Sequence, residues 1–379
     1  MELSSGKILL VDGPAFLKVL EGSTSIFNCS LKANKEYFLR PWKRYPVYAE
    51  TDSRLMLRMG EDSRVSFAEE DECVGSWFDQ VKSLAEFGVV GVLGGVDVGK
   101  TAFTTLAANT LSKIFGKTVV LSLDPGQTCF TPPTVVGAAE MNGCVHDLSE
   151  LKPFWQRPVG SASAVHAAAE VLEAVEEFSR VMPSEVPTVV DMDGWVDDAA
   201  AAAHKAAVLK TLGCRAAVII GSGLERLHQL LESDGVKVVR LAQSKYVKTR
   251  DTAERRKIRE WVFRKFIGKP TLRLIPSSWV QLSVLGHPGQ KPLDYLNTAL
   301  KQLADSAAED LSNLCKSRTG LIAYLYDERS YYLGLGIMCG YDNVKSVIKI
   351  IASVESGFSK VQLGRLLLTA EGEEKLVLN

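Results

Sequence analysis

The chain has 379 residues, which at about 150 residues per domain suggests one large domain with one or two small ones. Hydrophobic residues make up 46% and charged residues 23%, an ordinary globular balance that excludes disorder as the main theme. Lys and Arg number 44 against 45 Asp and Glu, so bulk charge does not hold the chain to nucleic acid, and any such contact needs a local patch.

No stretch reaches about 18 consecutive apolar residues, so no membrane span and no membrane association are expected. The N-terminal run in MELSSGKILLVDG is too short for a secretory signal. The cysteines, Cys29, Cys73, Cys129, Cys144, Cys214, Cys315 and Cys339, include no C-x-x-C pair. They read as reduced, mostly structural thiols of a soluble cytoplasmic or nuclear protein, with no zinc site.

Residues 1–81 read as a β-rich N-terminal domain. SIFNCSL, YPVYAE and SRVSF are short strand candidates between polar turns. The acidic run Glu69-Glu70-Asp71-Glu72-Cys73 reads as a solvated linker.

Residues 82–269 alternate apolar runs with amphipathic stretches. Strands are expected at 87–93, 118–123, 188–191, 216–220 and 236–240. Helices are expected at 100–115, 164–180, 199–212 and 224–232. This alternation predicts an α/β domain whose parallel sheet is covered on both faces. Residues 270–379 read as a small, mostly β C-terminal domain, with one helix over 296–303 and strands in TGLIAYLYD, SYYLGLGIMCGYD, VKSVIKIIASVE and KVQLGRLLL.

Between the first strand and helix of the central domain stands Gly94-Gly95-Val96-Asp97-Val98-Gly99-Lys100-Thr101. It fits G-x-x-x-x-G-K-[ST] in the strand-to-helix context that a phosphate-binding loop requires. Its amides and the helix N-terminus suit phosphate oxygens. Lys100 would reach the β- and γ-phosphates, and the Thr101 hydroxyl would help hold Mg²⁺. Asp97 is unusual inside such a loop: it could orient an acceptor hydroxyl, bind metal through water, or simply be exposed.

The second strand ends in Leu123-Asp124-Pro125-Gly126-Gln127, at the sheet edge where such folds place their sites. Asp124 could hold Mg²⁺ or accept a proton from an attacking hydroxyl, and Gln127 could orient the nucleophile. An Asp before Pro-Gly could also just start a turn. The third strand runs into Asp191-Met192-Asp193-Gly194-Trp195. Trp195 could stack on a base or anchor the next helix as a core residue. Asp197 and Asp198 suit the first turn of that helix.

From 245 to 269 the chain carries ten Lys or Arg against three Asp or Glu. Arg255, Arg256 and Arg259 fall within about one helical turn. Such a cluster suits phosphates and a closing lid. The alternative is a solvated amphipathic helix docked through Ile258, Val262 and Phe266.

Taken together, GGVDVGKT, LDPGQ, PVGSASA (158–164), DGW and the segment from Arg250 to Gly268 resemble the polynucleotide 5′-hydroxyl kinase family, which includes a messenger-RNA cleavage subunit and a ribosomal-RNA-processing kinase. The resemblance implies a phosphate loop that includes Asp97, a Walker-B-type segment led by Asp124, a Gly-Ser loop, a T-x-G-W clasp carrying Trp195, and an arginine lid. Here Met192 replaces the Thr of the clasp. The implied activity is ATP- or GTP-dependent phosphorylation of RNA 5′-hydroxyl ends, with DNA as a second acceptor. The implied catalytic residues are Lys100, Asp124, Asp97, Arg255 and Arg259. Gly94 to Thr101, Phe103 and Arg256 would contact the nucleotide, Thr101 and Asp124 the Mg²⁺, and Gln127, Gly160, Ser161 and Trp195 the acceptor. A nucleotide-bound structural subunit of an RNA-processing complex, with protein partners and little turnover, is the alternative. A P-loop kinase of a small molecule is a third reading, opposed by Trp195 and the arginine segment.

Overall fold

The computed structural model describes residues 1–68, 72–307, 318–354 and 357–378. Residues 69–71 of the acidic run, and Cys315, lie outside the described residues. No helix among the described residues is long and apolar enough to cross a membrane. The chain forms two compact units interleaved along the sequence. The first comprises Met1–Asp124, Gly137–Trp155 and Val175–Glu254, and the second Pro125–Val136, Gln156–Ala174 and Arg255–Asn379.

In the first unit, residues 2–68 make two antiparallel sheets around one apolar core that includes Leu9, Leu17, Leu39, Tyr45 and Val47. Strict alternation produces this. Along Ala15–Glu21, the side chains of Ala15, Leu17 and Val19 point inward while Phe16 faces solvent. The expected strands in YPVYAE and SRVSF appear as Arg44–Ala49 and Arg64–Ala68, with Ile8–Asp12 pairing antiparallel to both. The helix Glu72–Leu84 follows.

The central sheet has seven strands in the order 153–158, 135–142, 117–122, 188–191, 89–94, 216–220, 237–241. The last five pair in parallel. Val89–Gly94, Thr188–Asp191 and Ala216–Ile220 are almost wholly buried, as inner parallel strands must be. The α/β expectation is borne out. Its extension was not foreseen: Val135–Asn142 runs antiparallel to Lys117–Ser122, and Pro153–Pro158 continues the sheet beyond it.

The expectation that all cysteines are reduced is corrected: Cys29 and Cys144 form a disulfide with Cα atoms 5.4 Å apart. Their separation of 115 residues hides the pairing in the sequence. Only the seating of the Cys29 strand near the turn after Asn142 brings them together. Asn109 supports that seating, donating to Phe27 O at 2.7 Å and Val145 O at 2.9 Å. Cys129, Cys214 and Cys339 are buried thiols.

In the second unit, Thr319–Tyr326 is buried along its whole length between Tyr332–Asp342 and Lys360–Thr369. One face packs on helix Pro292–Ala307 through Leu296, Ala299, Leu300 and Leu303. The other meets Phe263 and Ile267 of helix Thr252–Ile267. Thr271–Pro276, Gln281–Val284 and Glu374–Val377 add strands that the sequence pattern did not reveal.

Candidate nucleotide and acceptor site

The strand Val89–Gly94 delivers the chain into a tight loop, and the helix Lys100–Phe115 leaves it. Backbone sterics explain two of the glycines. Gly94 has φ +155°, and a Cβ there would lie 2.7 Å from Ile220 O. Gly99 has φ +102°, and its Cβ would lie 3.1 Å from the Trp77 ring. Neither position accepts an L side chain without displacement. The loop therefore keeps the open backbone cradle that phosphate oxygens require. Lys100 is largely buried, and its ammonium donates to Gly95 O at 2.6 Å.

Thr101 and Thr104 both donate to Asp191, to Oδ2 at 2.9 Å and to Oδ1 at 3.2 Å respectively. Asp191 ends the strand Thr188–Asp191, which lies between Val89–Gly94 and Lys117–Ser122. Asp124 follows the latter strand by two residues. A hydroxyl and carboxylates at the phosphate loop form the oxygen donor set that suits Mg²⁺, which binds through one or two carboxylates and completes its shell with phosphates and water. Asp191 was missed as a partner of Thr101; its place at a strand end beside the loop was the available signal.

Asp97 has φ +55° and is not a free loop carboxylate. Arg250 donates to it twice, from its backbone N to Oδ2 at 2.8 Å and from Nη1 to Oδ1 at 3.1 Å. The same guanidinium donates from Nε to Trp42 O at 2.9 Å. Arg250 thus ties the phosphate loop to the N-terminal sheets. The resemblance had placed Arg250 only at the start of the arginine segment.

The DGW turn packs directly on the loop. A Cβ at Gly194 would lie 2.7 Å from Val96 Cγ2 and 3.1 Å from Val96 Cα. Met192 is fully buried, so the motif's hydroxyl position is filled by a core side chain. Asp193 is buried and accepts the Trp195 N–H at 2.8 Å and the Lys205 ammonium at 2.7 Å. Burial pushes the Lys205 ammonium below the usual lysine range, against the upward pull of Asp193. Lys100 pushes the same way as burial, and Asp124 opposes it. Trp195 is half-buried, its indole N–H donates to Asp198, and its ring lies 6.0 Å from that of His204. Asp198 also caps the following helix, accepting the Ala201 N–H at 2.7 Å. Phe103 is a core side chain, fully buried edge-on to Trp77 at 5.6 Å between ring centres.

Gln127, Gly160, Ser161, Arg255, Arg256 and Arg259 belong to the second unit. Gly160 has φ +77° and its carbonyl accepts the Arg365 N–H at 2.9 Å. Ser161 is buried and its hydroxyl accepts the Ser163 N–H at 3.1 Å. Arg259 forks onto Glu374 with bonds of 2.6 and 2.8 Å. Arg256 pairs with Glu260 at 3.0 Å and donates to the Glu374 carbonyl. Arg255 is half-buried. Of the three docking residues expected for this helix, Val262 is buried, while Ile258 and Phe266 are partly so; Phe263 and Ile267 carry the rest of the apolar face.

Residues 94–269 match the family described as the mRNA cleavage and polyadenylation factor CLP1 P-loop. Over that segment the chain is similar to the CLP1 P-loop family. The resemblance drawn from the motifs is thereby borne out. A polyribonucleotide 5′-hydroxyl-kinase of Thermococcus kodakarensis is 23% identical over 312 residues, covering 75% of this chain and 89% of its own. One of Methanocaldococcus jannaschii is 24% identical over 324 residues, covering 75% and 88%. Among solved structures, Clp1p in complex with Pcf11p superposes with a TM-score of 0.68 at 14% identity, covering 96% of both chains. This CLP1-type likeness extends the common fold across nearly the whole chain. A second Clp1p–Pcf11p structure, described as giving the basis for ATP loss in a point mutant, superposes with the same score.

Proposed function

We propose that this protein transfers the γ-phosphoryl group of ATP or GTP to the 5′-hydroxyl end of RNA, with DNA as a second acceptor. One observation carries the reading: the Trp195-bearing turn packs at backbone distance on the phosphate loop, with Gly194 against Val96. A generic nucleotide hydrolase has no need of an aromatic platform there, whereas a kinase of nucleic-acid ends must hold a base beside the phosphates. The names of the archaeal relatives point the same way.

In this reading the loop amides and Lys100 hold the triphosphate. Thr101, Asp191 and Asp124 would hold Mg²⁺, which when bound supplies charge neutralisation at the phosphates. Asp124 takes the proton of the acceptor hydroxyl, and Trp195 stacks on the terminal base. Asp97 holds the loop through Arg250, whose backbone N–H and guanidinium occupy its two carboxylate oxygens. Gln127, Gly160 and Ser161 would line the acceptor path, and Arg255, Arg256 and Arg259 would stabilise charge on the transferring group. We divide the chain at 1–81, 82–269 and 270–379. This rests on separate sheets formed within 2–68, 89–241 and 271–377. An intracellular setting fits an RNA-processing role.

The deciding experiment is transfer of labelled γ-phosphate to a 5′-hydroxyl RNA oligonucleotide beside its 5′-phosphorylated twin, with Lys100→Ala as control. Label on the hydroxyl RNA alone, abolished in the control, is the expected result. Nucleotide binding without transfer would favour a structural subunit. The bond from Lys100 to Gly95 O, which occupies the ammonium within the loop, is the observation on that side. The Clp1p–Pcf11p complex supplies an example of a similar fold that binds a protein partner.

A further inference from the structure

The helix Ala199–Thr211 is rich in alanine, yet it carries a fully buried lysine at its centre. The Lys205 ammonium reaches back to the start of the DGW turn, donating to Asp193 Oδ1 at 2.7 Å and Asp193 O at 3.2 Å. The same carboxylate oxygen accepts the Trp195 N–H at 2.8 Å. One cation thus ties down both the carbonyl and the carboxylate of Asp193, and that carboxylate closes the turn onto Trp195. On its other side the turn is fitted to the phosphate loop through Gly194.

Stability alone does not explain such a pair. Exchanging a buried ion pair for apolar residues of equal volume is often neutral or stabilising. An apolar pair here would fill the space, but it would leave the Trp195 N–H and the Asp193 carbonyl without partners in a dry environment, at the cost of two unsatisfied polar groups. Met192 offers no hydroxyl to hold the turn, since its side chain is in the core. Asp191 is already engaged by Thr101 and Thr104.

We infer that Lys205 and Asp193 are positioning residues that fix the Trp195-bearing turn against the phosphate loop and so set where the acceptor's terminal base is received. The part concerning the acceptor rests on the reading of Trp195 given above; the part concerning the turn does not.

The test uses the full chain carrying Lys205→Met, Asp193→Asn, or both. Each is made with and without Trp195→Phe, so that the emission of Trp195 is obtained by difference. Acrylamide quenching then reports its exposure, and circular dichroism checks folding. Each single change should roughly double Trp195 quenching and raise the half-saturating concentration of a 5′-hydroxyl RNA oligonucleotide about tenfold. Binding of a fluorescent ATP analogue should stay within about twofold, because the loop amides are untouched. In the double variant no unpaired charge remains and the amide oxygen at position 193 still accepts the Trp195 N–H. It should recover at least about half of the lost protection, as coupled residues do.

Unchanged quenching in both single variants would mean that Lys205 merely fills volume and would overturn the inference. So would a double variant as loose as the singles. If Lys205→Met does not fold, Asp193→Asn and the double decide on the same readout. The quenching is read without turnover. A chain that shows the expected quenching but transfers no phosphate defeats the kinase reading and leaves the positioning pair standing.

Discussion

The phosphate loop and the arginine-rich helix were equally conspicuous as motifs, yet they are built in opposite ways. At and around the loop, each carboxylate meets a hydroxyl or a cation: Asp191 with Thr101, Asp97 with Arg250, Asp193 with Lys205. On the helix Thr252–Ile267, arginines expected to face phosphates are engaged within their own unit, Arg259 on Glu374 and Arg256 on Glu260. The loop's chemistry is local and its glycines enforce it. An arginine's long side chain takes whichever acceptor the tertiary fold supplies, and guanidinium–carboxylate forks are strong wherever they form.

The contrast can be broken most sharply at the carboxylates. Asp124→Asn should lower phosphoryl transfer on the order of 10²-fold, the scale of a lost general base, with nucleotide binding retained. Asp97→Asn should cost far less in rate, because an amide can still accept from Arg250. Parallel pH–rate profiles of the two variants check this; equal losses would return Asp97 to the role of base.

Next in size is the arginine helix. If Glu374 is structural support, Arg259→Ala should destabilise folding by about 2 kcal/mol in urea titration, because it leaves a largely buried carboxylate unpaired. If Arg259 instead serves the phosphates, the rate falls and the unfolding midpoint holds. Trp195→Ala should raise the half-saturating RNA concentration about tenfold, the value of one base stacked on an aromatic ring, with nucleotide affinity unchanged in direct titration.

The last test comes from another carboxylate, remote from the loop in sequence. Burial alone would push Asp147 up, but Lys43, Arg40 and the Tyr45 hydroxyl outweigh it and hold it well below the usual carboxylate range. Lys43 donates at 3.0 Å and Tyr45 also bonds the same oxygen. A depressed carboxylate stabilises the fold at every pH above its unfolded value, near about 4. That stability fades as pH falls from there toward the folded value. Asp147→Asn should therefore be less stable at pH 7 and flatter in its loss of stability below about pH 4. Thermal midpoints from pH 7 to pH 2 would show it.

The alternation of apolar runs and helical stretches over 82–269, the phosphate loop, and the strand-end places of Asp124 and Trp195 were legible from the residues of that segment alone. Period and motif spacing are local properties, and parallel inner strands must be apolar on both faces. The short N-terminal strand Ile8–Asp12 and the late strands Thr271–Pro276 and Gln281–Val284 were not, because brief segments take their strand character from the neighbours they pair with.

What the sequence by itself determined was the phosphate loop: a Gly-rich loop can turn in only a few ways, and the places of Lys100 and Thr101 follow from it. What only the tertiary structure decided was who partners whom. The Cys29–Cys144 disulfide, Arg250 on Asp97, Glu374 on Arg259 and Lys205 beneath Asp193 all join residues whose separation carries no period. A charged side chain brought out of water must find its counter-charge, and in a folded chain that counter-charge is set by topology rather than by neighbourhood along the sequence.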